Sequence, residues 1–302
     1  MTSPAGSARV PWAAVYGAAA FAVVLWGANP AVTKIAVGGL PGATVGVGRM
    51  LLAGLLALPV ILLFRLRPPR AAGDWGLLLA AALGGFVGFP LLFSLGMAKT
   101  ATSHGALINA AIPVFTGLFG LVAARRWPSG RWTAGMALAV AGEALLILGR
   151  GDSGGGSGGV GATLAGDLVC MASSACAGLS YVAGSRLSAR IGVWPTTFWA
   201  IGLGGVLMAP ALLWPAVTLP ATVPPSAWAA VAYLAVAGSI VGYVAWYWAL
   251  MTGGVVRVSP MQFAMPVVSL ALAVALFADR LTLMLLASAA LVLAGIAIAR
   301  KG

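Results

Sequence analysis

Acidic residues are almost missing from this chain. Five Asp and Glu stand among 302 residues, against 17 Lys and Arg, with one histidine and two cysteines. Each scarcity closes a class of function. So few carboxylates give no paired-acid signature for general acid–base chemistry and no cluster with metal-ligand spacing. The lone His104 opens an apolar segment with no acid close in sequence, so no Ser/His/Asp set can be placed. Cys170 and Cys176 fall in one apolar segment. On a helix they point about 240° apart, which suits neither a shared metal nor a mutual disulfide. They read as small buried apolar residues. Charge of both signs together reaches only 7%, far below the roughly one quarter of a soluble domain.

What the chain has is apolar length. Hydrophobic residues make up 61% and the mean hydropathy is +1.04. Segments of about 20 apolar residues recur, each long enough to cross a bilayer. The pattern predicts ten helices, over 12–35, 43–64, 75–98, 102–124, 131–149, 163–187, 194–214, 226–250, 255–277 and 281–299. Breakers such as Leu40-Pro41-Gly42 and Trp127-Pro128-Ser129-Gly130 separate them. Residues 149–161, GRGDSGGGSGGVG, read as a flexible linker. No strand precedes these glycines and no Lys-Ser/Thr follows, so they are not a phosphate loop. The first apolar segment is full length and lacks a cleavage site, so it is expected to stay in the protein.

The second half echoes the first. Trp75 matches Trp228 at an offset of 153, as do Asn109 and Gln262, Pro113 and Pro266, and Ala141-Gly142 and Ala294-Gly295. Gly84 and Gly88 match Gly238 and Gly242 at 154. Duplicated membrane bundles build many secondary transporters, with the path between the repeats. The expected fold is therefore all-α and integral to the membrane, with ten transmembrane helices as two five-helix inverted repeats around a central cavity. The expected units are a 1–11 tail, repeat 1 over 12–149, an external linker over 150–162, repeat 2 over 163–299 and a 300–302 tail.

Basic residues orient the bundle. With the N-terminus in the cytoplasm, 12 Lys and Arg fall on that side, and Lys34, Lys99, Arg150 and Arg280 on the other. That bias places both termini inside. Arg49 lies within the second helix. Most tryptophans sit near segment ends, where the interface suits an amphipathic ring. Trp26, Trp199, Trp246 and Trp248 are placed deeper.

Polar groups at membrane depth are functional candidates, because lipid offers them no partner. Ser259, Gln262, Pro266 and Ser269 share one face of the ninth helix; Ala106, Asn109, Pro113 and Thr116 form the equivalent stripe in the fourth. Each proline frees a backbone carbonyl near an amide side chain. Two readings stay open: lining of a substrate path, or hydrogen bonds that hold neighbouring helices. Trp26, Asn29, Pro30 and Thr33 form a further one-sided cluster, and Tyr181, Tyr243 and Tyr247 carry hydroxyls on apolar faces. The candidate substrate-binding set is thus Trp26, Asn29, Asn109, Tyr181, Tyr243, Tyr247 and Gln262. No catalytic residue, metal or cofactor is expected. Glu143 is the one carboxylate well inside a helix, but its repeat partner is Ile296, so it is read as structural. Asp167 and Asp279, near helix ends, are expected to be wetted, and His104 to sit at an interface or pathway mouth. Leu285 is expected to face lipid.

Leu25-Trp26-Gly27-Ala28-Asn29-Pro30 with Lys34, then Arg49-Met50-Leu51-Leu52-Ala53, Pro113 and Met265-Pro266-Val267 leading to Ala278-Asp279-Arg280, occur in an order that spans the chain. In these residues the chain resembles the drug/metabolite transporter superfamily, in its ten-helix group of EamA-type exporters. It departs from the family at Ala278-Asp279, where Gly-Glu is common. Within the family it is most similar in character to bacterial inner-membrane exporters of amino acids, aromatic ones included. The resemblance implies a cavity enclosed by helices 1–4 and 6–9, with helices 5 and 10 peripheral. The expected function is export of amino acids or related metabolites by alternating access. The competing readings are multidrug or other metabolite efflux and, in another class, an intramembrane enzyme. The expected partners are a small-molecule substrate and the lipid bilayer, with no nucleic acid, and a monomer is the simplest assembly.

Overall fold

The computed structural model describes residues 11–125, 127–148, 161–253, 261 and 264–299. These residues are almost wholly helical, as an apolar chain must be when its backbone groups find no water. Seven helical runs are long and apolar enough to cross a membrane: Trp12–Gly39, Gly42–Leu63, Ala72–Met97, Thr102–Ala124, Leu164–Ile191, Val193–Leu213 and Pro225–Trp246. Three further helices are Gly130–Leu148, Met265–Phe277 and Leu283–Ala299. Most helix limits fall within a few residues of the expected ones. The linker over 149–160, both tails and the first part of the ninth expected helix lie outside the described residues.

Several of these runs are broken into shorter helices. The first divides into α1 (Trp12–Gly27) and α2 (Asn29–Gly39), and α3 is Gly42–Leu63. The third comprises α4 (Ala72–Ala81), a π-helical turn at Ala82–Gly88 and α5 (Phe89–Met97). The fourth is α6 (Thr102–Ala110) and α7 (Ile112–Ala124); α8 is Gly130–Leu148. After α9 (Leu164–Ile191) and α10 (Val193–Met208) comes α11 (Pro225–Tyr233), a second π turn at Leu234–Val241 and α12 (Gly242–Gly253). The series ends with α13 (Met265–Phe277) and α14 (Leu283–Ala299).

The breaks have local causes. Ala28, Ala111 and Ala264 each precede a helix with proline at its first or second position. Proline gives no N–H and crowds the preceding turn, so the backbone ladder stops there. Irregularities recur at the repeat spacing. The two π turns begin at Ala82 and Leu234. The left-handed residues that end α7 and α13 are Arg125 and Ala278, with φ of 50° and 53°. Alanine carries a side-chain clash in that region that glycine would not suffer.

Helices of one half pack on helices of the other. α1 lies against α12, α3 against α10, and both α5 and α7 against α9. α8 and α14 pack chiefly on each other. Glycine permits that approach: a side-chain carbon at Gly142 would lie 2.9 Å from Leu291 Cβ, and one at Gly295 2.5 Å from the Gly135 carbonyl oxygen. Leu285 corrects its expectation. It is buried in a cluster with Leu107, Leu146 and Ala289, on the side of α14 that meets α8 and α6, so it does not face lipid. The outward surface carries Phe21, Leu55, Leu62, Val122 and Val206, all exposed. Trp12, Trp75, Trp127, Trp194, Trp214 and Trp228 are exposed at helix ends, as an interfacial belt requires.

Candidate functional site

The two halves enclose a narrow cavity at the level of the helix breaks. Trp26 and Asn29 enter it from the α1–α2 break, Arg49 and Met50 from α3, and Phe86 from the first π turn. Asn109 and Ile112 flank the α6–α7 break, Tyr181 comes from α9, and Gly238, Ser239 and Tyr243 from the second π turn and α12. Among the described residues, none of α8, α10 or α14 lines it. Of the seven candidate residues, Trp26, Asn29, Asn109, Tyr181 and Tyr243 line this one space. Gln262 and the side chain of Tyr247 lie outside the described residues. The cavity volume is about 40 Å³, room for a few waters and too little for an amino acid. Cargo requires the walls to part.

The breaks supply carbonyls, and polar side chains of the opposite half take them up. The Trp26 indole N–H donates to the Gly238 carbonyl in the second π turn, at 2.9 Å. Ser180 of α9 donates to the Ala81 carbonyl beside the first, at 2.8 Å. Ser269 donates to the Gly27 carbonyl at 2.7 Å, and Ser174 to the Ile108 carbonyl at 3.0 Å. Ser239 spends its proton inside its own π turn, on Leu234. The Tyr181 and Tyr243 hydroxyls bond to one another. Trp26 meets Tyr243 edge-on at 5.0 Å and Trp246 at 5.8 Å, and Phe86 lies 5.8 Å from Tyr243. These rings make one wall.

After these bonds, a few cavity-facing atoms remain without a hydrogen-bond partner among the described residues. They are Oδ1 of Asn29, Oδ1 of Asn109, and Nε and Nη1 of Arg49. All three residues are at least nine-tenths buried. Sequence reasoning found the two asparagines through helical spacing and prolines. It missed Arg49, which it recorded only as an intramembrane cation and a family signature.

A second polar cluster lies at one end of the bundle. Lys34 donates to the Met97 and Thr100 carbonyls, at 3.1 and 2.5 Å. The Thr100 hydroxyl donates to one Asp167 oxygen, and His104 Nδ1 lies 3.0 Å from the other. Asp279 accepts from the Ser103 backbone N–H at 2.8 Å, at the positive end of α6. The expectation that Asp167 is wetted is overturned, and of the two places expected for His104 the interface is excluded: they are 0% and 1% exposed. α9 carries Asp167 under the end of α5, where a missing side chain at Gly166 admits the Lys99 carbonyl. The cluster brings an acid to the lone histidine, but Asp167 bonds the threonine hydroxyl itself, so the order is not that of a nucleophile–base–acid triad. Among the described residues there is no group of three or more His, Cys, Asp or Glu able to hold a metal. Trp199, expected at depth, donates to the Leu66 carbonyl in the 64–71 loop, and Trp248 is partly exposed.

A multi-pass bundle of broken apolar helices, with a polar cavity between its halves, is the build of a membrane transporter. The chain belongs to the EamA-like transporter family, which matches residues 13–148 and 164–300. It is 30% identical over 282 residues to an uncharacterized transporter of Bacillus subtilis (strain 168), YdeK, covering 92% of this chain and 94% of that one. One solved structure, described only as a crystal structure of a protein, shares the fold with a TM-score of 0.61 at 22% identity, covering 95% of this chain and 96% of that one.

Proposed function

We propose that this transporter exports amino acids, aromatic ones among them, or related small metabolites across the bacterial inner membrane by alternating access. The observation that carries this is the pair of buried, unpartnered amide oxygens of Asn29 and Asn109, set at two helix breaks beside an aromatic wall. Neutral acceptors suit an ammonium group, and the rings suit a side chain. Gln262 and Tyr247 complete the proposed set. The proposed frame is ten spans in two inverted repeats, with both termini cytoplasmic and the linker external. The Lys34–Asp167–His104 cluster then closes the external end and must part when that end opens.

Purified protein in liposomes loaded with radiolabelled amino acids tests the reading. Counterflow of at least one amino acid above empty liposomes is expected. Transport of a cationic dye panel with no amino-acid counterflow would establish multidrug efflux instead. Orientation is tested by a single cysteine at Ser157, in a chain lacking Cys170 and Cys176. An impermeant reagent should reach it in intact cells, and labelling only after lysis would reverse the assignment.

A further inference from the structure

Arg49 sits seven residues into α3, about 10 Å along the helix axis from its start. It is 3% exposed, and its Nε and Nη1 have no partner among the described residues. A guanidinium cannot shed its charge as a lysine can, so burial leaves it fully ionised and dependent on a counter-charge. The described carboxylates do not supply one. Asp74 pairs with Arg190 at 2.7 Å, Asp167 holds Thr100 and His104, and Asp279 holds the Ser103 N–H. Glu143 belongs to α8, and no α8 residue is among the described residues that line the cavity.

The nearest alternative would be a bond from Arg49 to the amide oxygens that share its cavity. That bond is not made. With the amides as oriented, Asn29 Oδ1, Asn109 Oδ1 and the two guanidinium nitrogens are all unpartnered while lining one space. Donors and acceptors therefore belong to residues lining one cavity without bonding to each other. A guest that bridges them must present an acceptor of negative charge at one end and a donor at the other. We propose that Arg49 is the carboxylate anchor of the transported molecule, with Asn29 and Asn109 receiving its ammonium group. The cargo is then a zwitterion, and a carboxylate is obligatory. This rests on the amino-acid reading above but is stricter, because the aromatic wall alone would accept amines and cationic drugs. A planar guanidinium offers two parallel N–H groups to a carboxylate, which gives orientation as well as attraction.

Three probes that share one ring separate the two ideas: phenylalanine, 3-phenylpropanoate without the ammonium, and 2-phenylethylamine without the carboxylate. Binding is read from the ligand-dependent rise in melting temperature of the purified full chain. The expected order for the native protein is phenylalanine first and phenylpropanoate second, with phenylethylamine at least about tenfold weaker than phenylalanine. Arg49→Gln should lose the advantage of both carboxylate probes, while phenylethylamine, relieved of a like charge in the cavity, binds no more weakly than before. Arg49→Lys should keep part of it. The unliganded melting temperature of each variant reports folding, and loss of an unpaired buried charge should raise it in Arg49→Gln. Phenylethylamine binding as tightly as phenylalanine would overturn the carboxylate anchor and leave an amine carrier standing. Equal carboxylate preference in Arg49→Gln would overturn it too. Phenylpropanoate binding through Arg49 without phenylalanine binding would keep the anchor and sink the amino-acid reading. No response to any of the three would sink both.

Discussion

Lys34 and Arg49 are both buried cations in the first half of the chain, fifteen residues apart, and their surroundings differ completely. Lys34 reaches two carbonyls at the end of α5, where a helix terminus presents unused acceptors and negative potential. The same corner ties Thr100, His104 and Asp167 into a continuous set of bonds across the two halves. Arg49 lines a cavity, and the amide oxygens of Asn29 and Asn109 that share it are unpartnered as well. Burying a charge is tolerable when the fold answers it. In the first place the fold does so itself. In the second it leaves the answer to the cargo. A partnered buried charge reports on structure, whereas an unpartnered one reports on a ligand.

Substitution should break the comparison with effects of opposite sign. Asp167→Ala removes the acceptor shared by Thr100 and His104 from a dry corner. A loss of about 3–5 kcal/mol is expected, the cost of removing one side of a buried pair. Arg49→Met exchanges an unpaired charge for an apolar chain of similar length. A gain on the order of 1–4 kcal/mol is expected, together with loss of amino-acid counterflow. Melting temperatures in one detergent measure both. If the two variants shift in the same direction, the two cations are not different in kind.

The contrast also marks where the sequence was legible. Asn29 and Asn109 stood out because each lies within about one turn of a helix-breaking proline on a polar stripe, and that is local information. The helix limits followed from apolar length for the same reason. The Lys34 corner was not legible. Asp167 lies 63 residues from His104, and a residue near a helix end is wet or dry according to which neighbour covers it. Leu285 failed in the same way, because the side of α14 that meets α8 and α6 looks no different in composition from its lipid side. The π turns left only glycines as a trace. Gly84 and Gly88 admit the Cys176 backbone and sulfur, and Gly242 admits the Trp26 ring. The widened turns beside them have no signal of their own in the sequence.

The two halves offer a second comparison, of smaller size. Trp26 bonds a carbonyl of the second π turn, and Ser180 bonds one beside the first, each from a helix of the other half. Trp26→Phe keeps an aromatic ring but loses the bond and part of the indole; Ser180→Ala loses the bond alone. Each should cost about 1–3 kcal/mol by stranding a buried carbonyl. Markedly unequal losses in melting temperature would mean that the π turns are not equivalent supports. Smaller again is Ala278→Gly. At a φ of 53° the alanine pays a side-chain clash that glycine avoids, so a gain of about 1 kcal/mol is expected. An unchanged or lowered melting temperature would show that the left-handed cap is not strained.

The smallest expected effect belongs to the one carboxylate that the sequence places inside a helix. Glu143 has no counterpart in the second half, where Ile296 stands at its offset. Its helix α8 packs chiefly on α14, and none of the residues described as lining the cavity belongs to it. The close approach at Gly142 and Gly295 fixes that pair of helices to each other rather than to the path. A group that couples a proton to cargo must feel whether cargo is bound, and nothing in the position of α8 gives it that sense. Glu143→Gln keeps the shape and removes the charge. Counterflow through this variant should stay within about twofold of the native rate across the pH range in which free carboxylates titrate. Arg49→Gln under the same conditions should fall to background. A folded Glu143→Gln protein with no transport at any pH would move the coupling site out of the cavity and onto the α8–α14 pair.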